Sequence, residues 1–121
     1  MILVDTSIWV DHLRSGNATL AAMLETGTVL THPFVVGEIA LGHLRQRDTV
    51  LGALLHLPQA AMATDAEARY FIDHNQLFGR GIGYVDAHLL AAVQLTAGDL
   101  LWTADRRLQE VADQLGLAIK A

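Results

Sequence analysis

The stretch Met1-Ile2-Leu3-Val4-Asp5-Thr6-Ser7-Ile8-Trp9-Val10-Asp11 decides how the rest of the chain is read. Ile2, Leu3 and Val4 form an uninterrupted apolar run, the pattern of a strand covered on both faces, and the run stops abruptly at Asp5. Thr6 and Ser7 offer N-cap oxygens, and Trp9 with Leu13 has the i, i+4 spacing of a helix. A carboxylate therefore stands where a buried strand hands over to a helix. In open parallel α/β sheets, ligands bind at that carboxyl end of the strands. The stretch poses one question: which other acids converge on Asp5?

Working outward, Ser15-Gly16-Asn17 makes a turn, and a helix is expected over Ala18–Glu25 with Gly27 as its stop. Thr28–Thr31 reads as a second strand, and Pro33 as the first residue of a helix reaching about Leu44. Residues 45–48 interrupt the helical pattern, which resumes over Thr49–His56 and closes at Leu57-Pro58. Ala60–Ala63 is a short strand candidate. Thr64 and Glu67 match a capping box that opens a helix to about Phe78. The glycine-rich loop Gly79-Arg80-Gly81-Ile82-Gly83 leads to a helix over Val85–Ala97. Leu100–Thr103 reads as a buried strand, Asp105–Leu115 as the last helix, and Leu117–Ile119 as an edge strand. Strands alternating with helices at this spacing predict a doubly wound α/β fold with a mainly parallel sheet, as one domain over residues 1–121.

At 121 residues the chain is long enough to bury roughly two-thirds of its unfolded surface. It has no cysteine, hence neither a disulfide framework nor a thiolate metal site, and its six histidines form no His-x-x-x-His pair suited to zinc. No apolar stretch approaches the roughly 20 residues that span a bilayer, and the N-terminus lacks the pattern of a signal peptide. No membrane association and a cytoplasmic location are expected. Apolar residues make up 52% of the chain and mean hydropathy is +0.33, so some apolar surface is expected to meet a partner or a second copy. The net charge of −5 opposes broad electrostatic binding to nucleic acid. Setting four of the thirteen acids aside as one metal site leaves nine against eight bases, a balance of −1.

Four carboxylates fit a core or a solvated face poorly. Asp5 ends the first strand. Glu38 lies within Phe34–Leu41, on the same helical stripe as Phe34 and Leu41. Asp86 opens a helix on the stripe of Leu89, Leu90, Val93 and Ala97, and Asp105 follows a strand on the stripe of Leu108, Ala112 and Leu115. Singly, each Asp is explained by helix capping or by a favourable charge at a helix N-terminus. Together they would meet at one edge of the sheet. Clustered carboxylates repel and are costly to bury unless cations compensate. Oxygen-only ligands without cysteine suit Mg²⁺ or Mn²⁺, one ion or two. Asp5, Glu38, Asp86 and Asp105 are the candidate metal-binding and catalytic residues.

The blocks Val4–Trp9, Val36–Ile39, Gly83–Ala92 and Leu101–Leu108 resemble the PIN-domain nucleases, and more narrowly the VapC toxins of VapBC toxin–antitoxin modules. The resemblance covers essentially the whole chain in the expected order. It implies a three-layer α/β/α fold and Mg²⁺- or Mn²⁺-dependent endoribonuclease activity, with metal-activated water cleaving RNA. It also implies inhibition by a cognate VapB antitoxin and homodimerisation. The four family acids fall on Asp5, Glu38, Asp86 and Asp105, and the family's Ser/Thr positions, which place water or phosphate, on Thr6 or Ser7 and Thr103.

Among the bases, Arg80 in the glycine loop and Arg106 and Arg107 beside Asp105 are candidate RNA contacts, with Arg14, Arg45 and Arg47 ranked behind them. His88 is read as a packing residue, and Val50–Leu55 as core or as a partner surface. A non-catalytic binding module is the alternative, set against by the presence of all four acids. A receiver-like phosphoacceptor would need a lysine near the site, and the only lysine is Lys120. The RNA substrate itself, whether transfer, ribosomal or messenger, is not legible in the residues.

Overall fold

The computed structural model describes residues 1–119; Lys120 lies outside them, as does the end of the expected 1–121 domain. Three short parallel strands, β1 (Ile2–Val4), β2 (Val29–Leu30) and β3 (Leu100–Trp102), form a sheet in the order β2-β1-β3. Seven helices surround them among the described residues: α1 (Thr6–Ser15), α2 (Ala18–Glu25), α3 (Pro33–Ala40), α4 (Arg47–Leu55), α5 (Asp65–His74), α6 (Tyr84–Gln94) and α7 (Arg106–Gln114). The architecture is the three-layer α/β/α arrangement expected. The apolar run of β1 is central, with Leu3 and Val4 fully buried beside Leu101, Leu89 and Leu90. Trp9 and Trp102 are buried in the same core. No helix is long and apolar enough to cross a membrane among the described residues.

The strand order matters more than the strand length. From β1 the chain crosses to one side to make β2 and later returns to the other side to make β3. The carboxyl end of β1 is therefore a topological switch point, where the crossovers diverge and leave a crevice. Single bridges extend the sheet at both edges, Thr31 with Gln59 and Leu101 with Ala118. The expected edge strand at Leu117–Ile119 is thus reduced to one bridge, and the candidate strand at Ala60–Ala63 gives way to one at Gln59.

Helix ends differ from the periodicity in ways that local chemistry explains. Helix α3 stops at Ala40 rather than Leu44, its final turn tightening through Leu41 N–H to the Glu38 carbonyl and Gly42 N–H to the Ile39 carbonyl. The buried face of α3 is Val35 and Ile39; on the stripe of Glu38, Phe34 packs edge-on to His32 and His88, while Glu38 is exposed and Leu41 is 90% exposed. Helix α4 begins at Arg47, with Asp48 in its first turn, where the expected interruption lay. Helix α5 ends at His74, four residues early, because Gln76 takes φ 53° and closes a Schellman motif, with Leu77 N–H bonded to the Ile72 carbonyl. The capping box of Thr64 and Glu67 forms as expected. Helix α6 ends at Gln94, before Ala97.

Two histidines contribute to the core. His32 caps α3, its Nδ1 accepting from Phe34 N–H at 3.0 Å, and is fully buried. The accepting Nδ1 puts the ring proton on Nε2, which has no partner among the described residues. Burial, with His88 second, lowers the His32 pKa from 6.5 to about 4. His88 is the packing residue expected: buried, edge-on to Phe34 and Tyr84, with Nε2 3.1 Å from Asp65 Oδ1.

Because the fold keeps His32 neutral while the unfolded chain protonates it below pH 6.5, its contribution to stability is whole above 6.5. It is lost as pH falls towards 4, by up to roughly 3 kcal/mol. Urea unfolding of His32→Asn, which keeps a capping oxygen, is expected to lose less stability than the parent between pH 7 and pH 4. Equal losses would remove His32 as the cause.

Candidate active site

The register of β1 with β3 pairs Ile2 with Leu100, Leu3 with Leu101 and Val4 with Trp102. One step further, the same register sets Asp5 beside Thr103, and Asp5 N–H still donates to the Trp102 carbonyl at 2.9 Å. Asp5 is 7% exposed and Thr103 6%. Asp5 Oδ2 accepts from Thr103 Oγ1 at 2.8 Å and from Ser7 Oγ at 2.8 Å. The helix-cap reading of this carboxylate is not realised: its backbone caps α1, but its side chain makes no capping bond.

The same hydroxyls reach on to the β3–α7 turn. Ser7 Oγ accepts from Ala104 N–H, and Thr103 Oγ1 accepts from Asp105 N–H, each at 3.0 Å. Asp105 is the side-chain N-cap of α7, with Oδ1 accepting from Leu108 N–H at 3.0 Å. On the opposite flank, Thr6 Oγ1 donates to Glu38 Oε1 at 2.7 Å, tying the exposed end of α3 to the first turn of α1. Asp86, at the third position of α6, accepts on Oδ2 from Gly83 N–H at 3.0 Å. Each of the four acids thus commits one oxygen to a bond within the chain, while its other oxygen accepts none from the described residues.

Electrostatics tie the four together. The Asp86 pKa is raised, first by burial and then by the negative charges of Asp5, Asp105 and Glu38, against a lowering by the Gly83 N–H. As the side chains lie, no three metal-ligating groups among the described residues stand close enough to hold one ion. A shared cation requires the exposed Glu38 and Asp105 side chains to swing towards Asp5 and Asp86.

The arginines take different stations. Arg80 Nη2 donates to Gln114 Oε1 at 2.8 Å. Arg107 lies across Gly81, whose φ of +81° and missing Cβ make the approach fit; a Cβ there would come 2.7 Å from Arg107 Nη1. Arg106 is exposed in the first turn of α7. Two partners escaped the sequence reading. The Gly83 N–H that holds Asp86 was signalled only by the three-residue spacing to a helix-opening acid. Asp65, which receives Tyr84 Oη at 2.8 Å as well as His88, had no local signal.

A family model described as PIN domain matches residues 2–114. The chain belongs to the PIN domain family. This PIN domain is similar to Ribonuclease VapC32 of Mycobacterium tuberculosis, in both strain CDC 1551 / Oshkosh and strain ATCC 25618 / H37Rv. The identity is 44% over 119 residues, covering 98% of this chain and 96% of the relative. At that coverage the PIN domain groups with the VapC proteins over its whole described fold.

Two measurements address this geometry. Thr103→Val, which keeps shape but removes the hydroxyl, is expected to lower unfolding stability by about 1–3 kcal/mol, since buried Asp5 loses a donor and Asp105 N–H an acceptor. Asp86→Asn should instead raise the melting temperature in metal-free buffer. A raised carboxyl pKa means that the ionised form opposes folding above that pKa, and the amide removes the charge while retaining an acceptor for Gly83. A lower melting temperature for Asp86→Asn would contradict the repulsion.

Proposed function

We propose that the chain, as one PIN-like domain over residues 1–121, is a metal-dependent endoribonuclease. It acts as the toxin of a toxin–antitoxin module and is held inactive by a cognate VapB antitoxin. One observation carries the reading: four carboxylates flank the switch point of the sheet, near enough for Asp5, Asp105 and Glu38 to add to the rise in the Asp86 pKa, each with one oxygen bonded within the chain and the other accepting nothing from the described residues. The similarity to Ribonuclease VapC32 supplies the reaction class.

The donor set fits Mg²⁺ or Mn²⁺. All ligand atoms are carboxylate oxygens, and a hard cation would offset both the burial and the neighbouring negative charge that raise the Asp86 pKa. Asp5, Asp86 and Asp105 would hold the ion, with Glu38 completing the shell or orienting water. When bound, the ion supplies Lewis-acid charge against the phosphodiester and makes water more acidic. Ser7 and Thr103 keep the Asp5 carboxylate from turning away from the crevice. Thr6 holds Glu38 Oε1, leaving Oε2 to accept a hydrogen from the attacking water. Attack in line at phosphorus yields a 5′-phosphate and a 3′-hydroxyl and does not call on the RNA 2′-hydroxyl. Arg106 and Arg107, in the first turn of α7, border the Asp105 side as phosphate contacts, while Arg80, held by Gln114 at the other end of α7, would meet RNA only farther out.

The reading places the protein in the cytoplasm as a homodimer. An apolar groove of about 450 Å³ between α5 and α6 supports a second copy there, with Tyr70 68% and Leu95 47% exposed along it.

The test is RNA cleavage with Mg²⁺ or Mn²⁺ by the parent and by Asp5→Asn. Cleavage is expected to vanish with chelator, to return with either ion, and to fall to background in Asp5→Asn while circular dichroism is unchanged. Undiminished cleavage by Asp5→Asn would remove the assignment, and no cleavage with no metal binding would make the chain a binding module.

A further inference from the structure

An open groove of about 570 Å³ lies between the C-terminal half of α1 and the α3–α4 connection. Its floor is aliphatic, and Val10 and Leu13 present 42% and 38% of their surface to it and to solvent. Its one acid among the described residues is Glu38, the side chain that Thr6 ties to the first turn after Asp5, so the groove adjoins the Asp5 end of the sheet through Glu38. Arg14, from the last turn of α1, and Arg45, from the connection, also line it. Neither guanidinium makes a hydrogen bond or ion pair among the described residues. Neighbouring Arg47, by contrast, is engaged with the Ala40 carbonyl at 3.0 Å.

We propose that this groove carries the RNA strand on one side of the scissile bond, with Arg14 and Arg45 each holding a phosphate and the aliphatic floor taking an unstacked base. The proposal rests on the ribonuclease reading above and adds the path of the substrate. The strand order β2-β1-β3 puts α3 and Glu38 on one flank of Asp5, and Asp105 with Arg106 and Arg107 on the other. A polynucleotide with its scissile phosphate at Asp5 must leave along both flanks. On the Glu38 flank, this groove is the exit that carries cations. In a chain of net charge −5, two of the seven arginines, Arg14 and Arg45, thus line this one groove. A paired duplex keeps its base faces stacked inside, so the apolar floor selects a single strand. Phosphates contacted by arginine without base-edge bonds set position rather than sequence.

The experiment uses the full chain carrying Asp5→Asn, which holds RNA without turnover, and a fluorescein-labelled single-stranded RNA of mixed sequence in Mg²⁺ buffer. Adding Arg14→Ala and Arg45→Ala together is expected to weaken binding about tenfold. The slope of log affinity against log salt should shrink by about 1.4, the value for two lost phosphate contacts on a single strand. Arg14→Lys with Arg45→Lys should restore the slope, and Arg69→Ala on α5 should leave both readouts unchanged. With Asp5 intact, the two alanine substitutions should raise KM and leave kcat near the parent value. Unchanged affinity and slope, in a protein whose parent cleaves RNA in an Asp5-dependent manner, would overturn the groove and leave the nuclease standing. The groove is equally overturned if the substitutions abolish binding of an antitoxin peptide but not of RNA. A parent that cleaves no RNA overturns both readings.

Discussion

A carboxylate that is 7% exposed must find its hydrogen bonds inside the protein, and Asp5 finds them in the hydroxyls of Ser7 and Thr103. That pair of bonds is the constraint on which the rest of the site depends. It joins the end of β1, the first turn of α1 and the end of β3 through side chains on all three elements. Thr103 then passes the alignment on, by accepting from the Asp105 backbone, to the turn that presents the next acid. Removing a hydroxyl therefore does more than subtract a bond. It leaves a buried charge short of a donor and loosens the turn that aims Asp105.

Gathering four acids runs against stability, and the fold softens the conflict without removing it. Asp86 and Asp105 sit at the N-terminal ends of α6 and α7, where helix dipoles and backbone N–H groups favour negative charge. Glu38 stays exposed, where water screens it. The conflict appears on Asp86, the half-buried member whose carboxyl pKa is raised first by burial and then by the other three charges. A site that holds like charges in excess of its own compensation is poised for a cation, and the proposed metal-dependent chemistry uses that imbalance. Such sites commonly cost stability in exchange for activity.

The same charge balance explains how an acidic protein is proposed to act on a polyanion. With a cation over the four carboxylates, the remaining charge is close to even, nine acids against eight bases. Arg106 and Arg107 directly follow Asp105, and Arg14 and Arg45 line the groove that Glu38 also lines. Their different states are part of the arrangement. Arg80 and Arg107 are braced by Gln114 and by the bare backbone of Gly81, whereas Arg14 and Arg45 line an apolar cleft with no such brace among the described residues. A braced guanidinium offers fixed geometry; an unbraced one can follow a flexible strand.

Much of the fold was legible in the chain because its signals are local. The apolar runs at Ile2–Val4 and Leu100–Trp102, the capping box at Thr64 and Glu67, and the stop at Gly27 each act over a few residues, and each forms where the periodicity puts it. Asp5, Asp86 and Asp105 could be singled out because each stands at a junction between strand and helix or at a helix start. Helix ends were less legible: α5 stops early because Gln76 adopts a left-handed conformation that its side chain does not announce. Glu38 was legible as a residue but not in its setting, since its end of the helical stripe is exposed and its place is set by Thr6, 32 positions away. The alternation of elements and the identity of the acids can be read from the chain alone, because periodicity and capping are properties of short segments. The register that sets Asp5 against Thr103, and the groove that brings Arg14 and Arg45 together beside Glu38, exist only in the folded chain. Both arise from contacts between residues far apart in sequence, which no local pattern encodes.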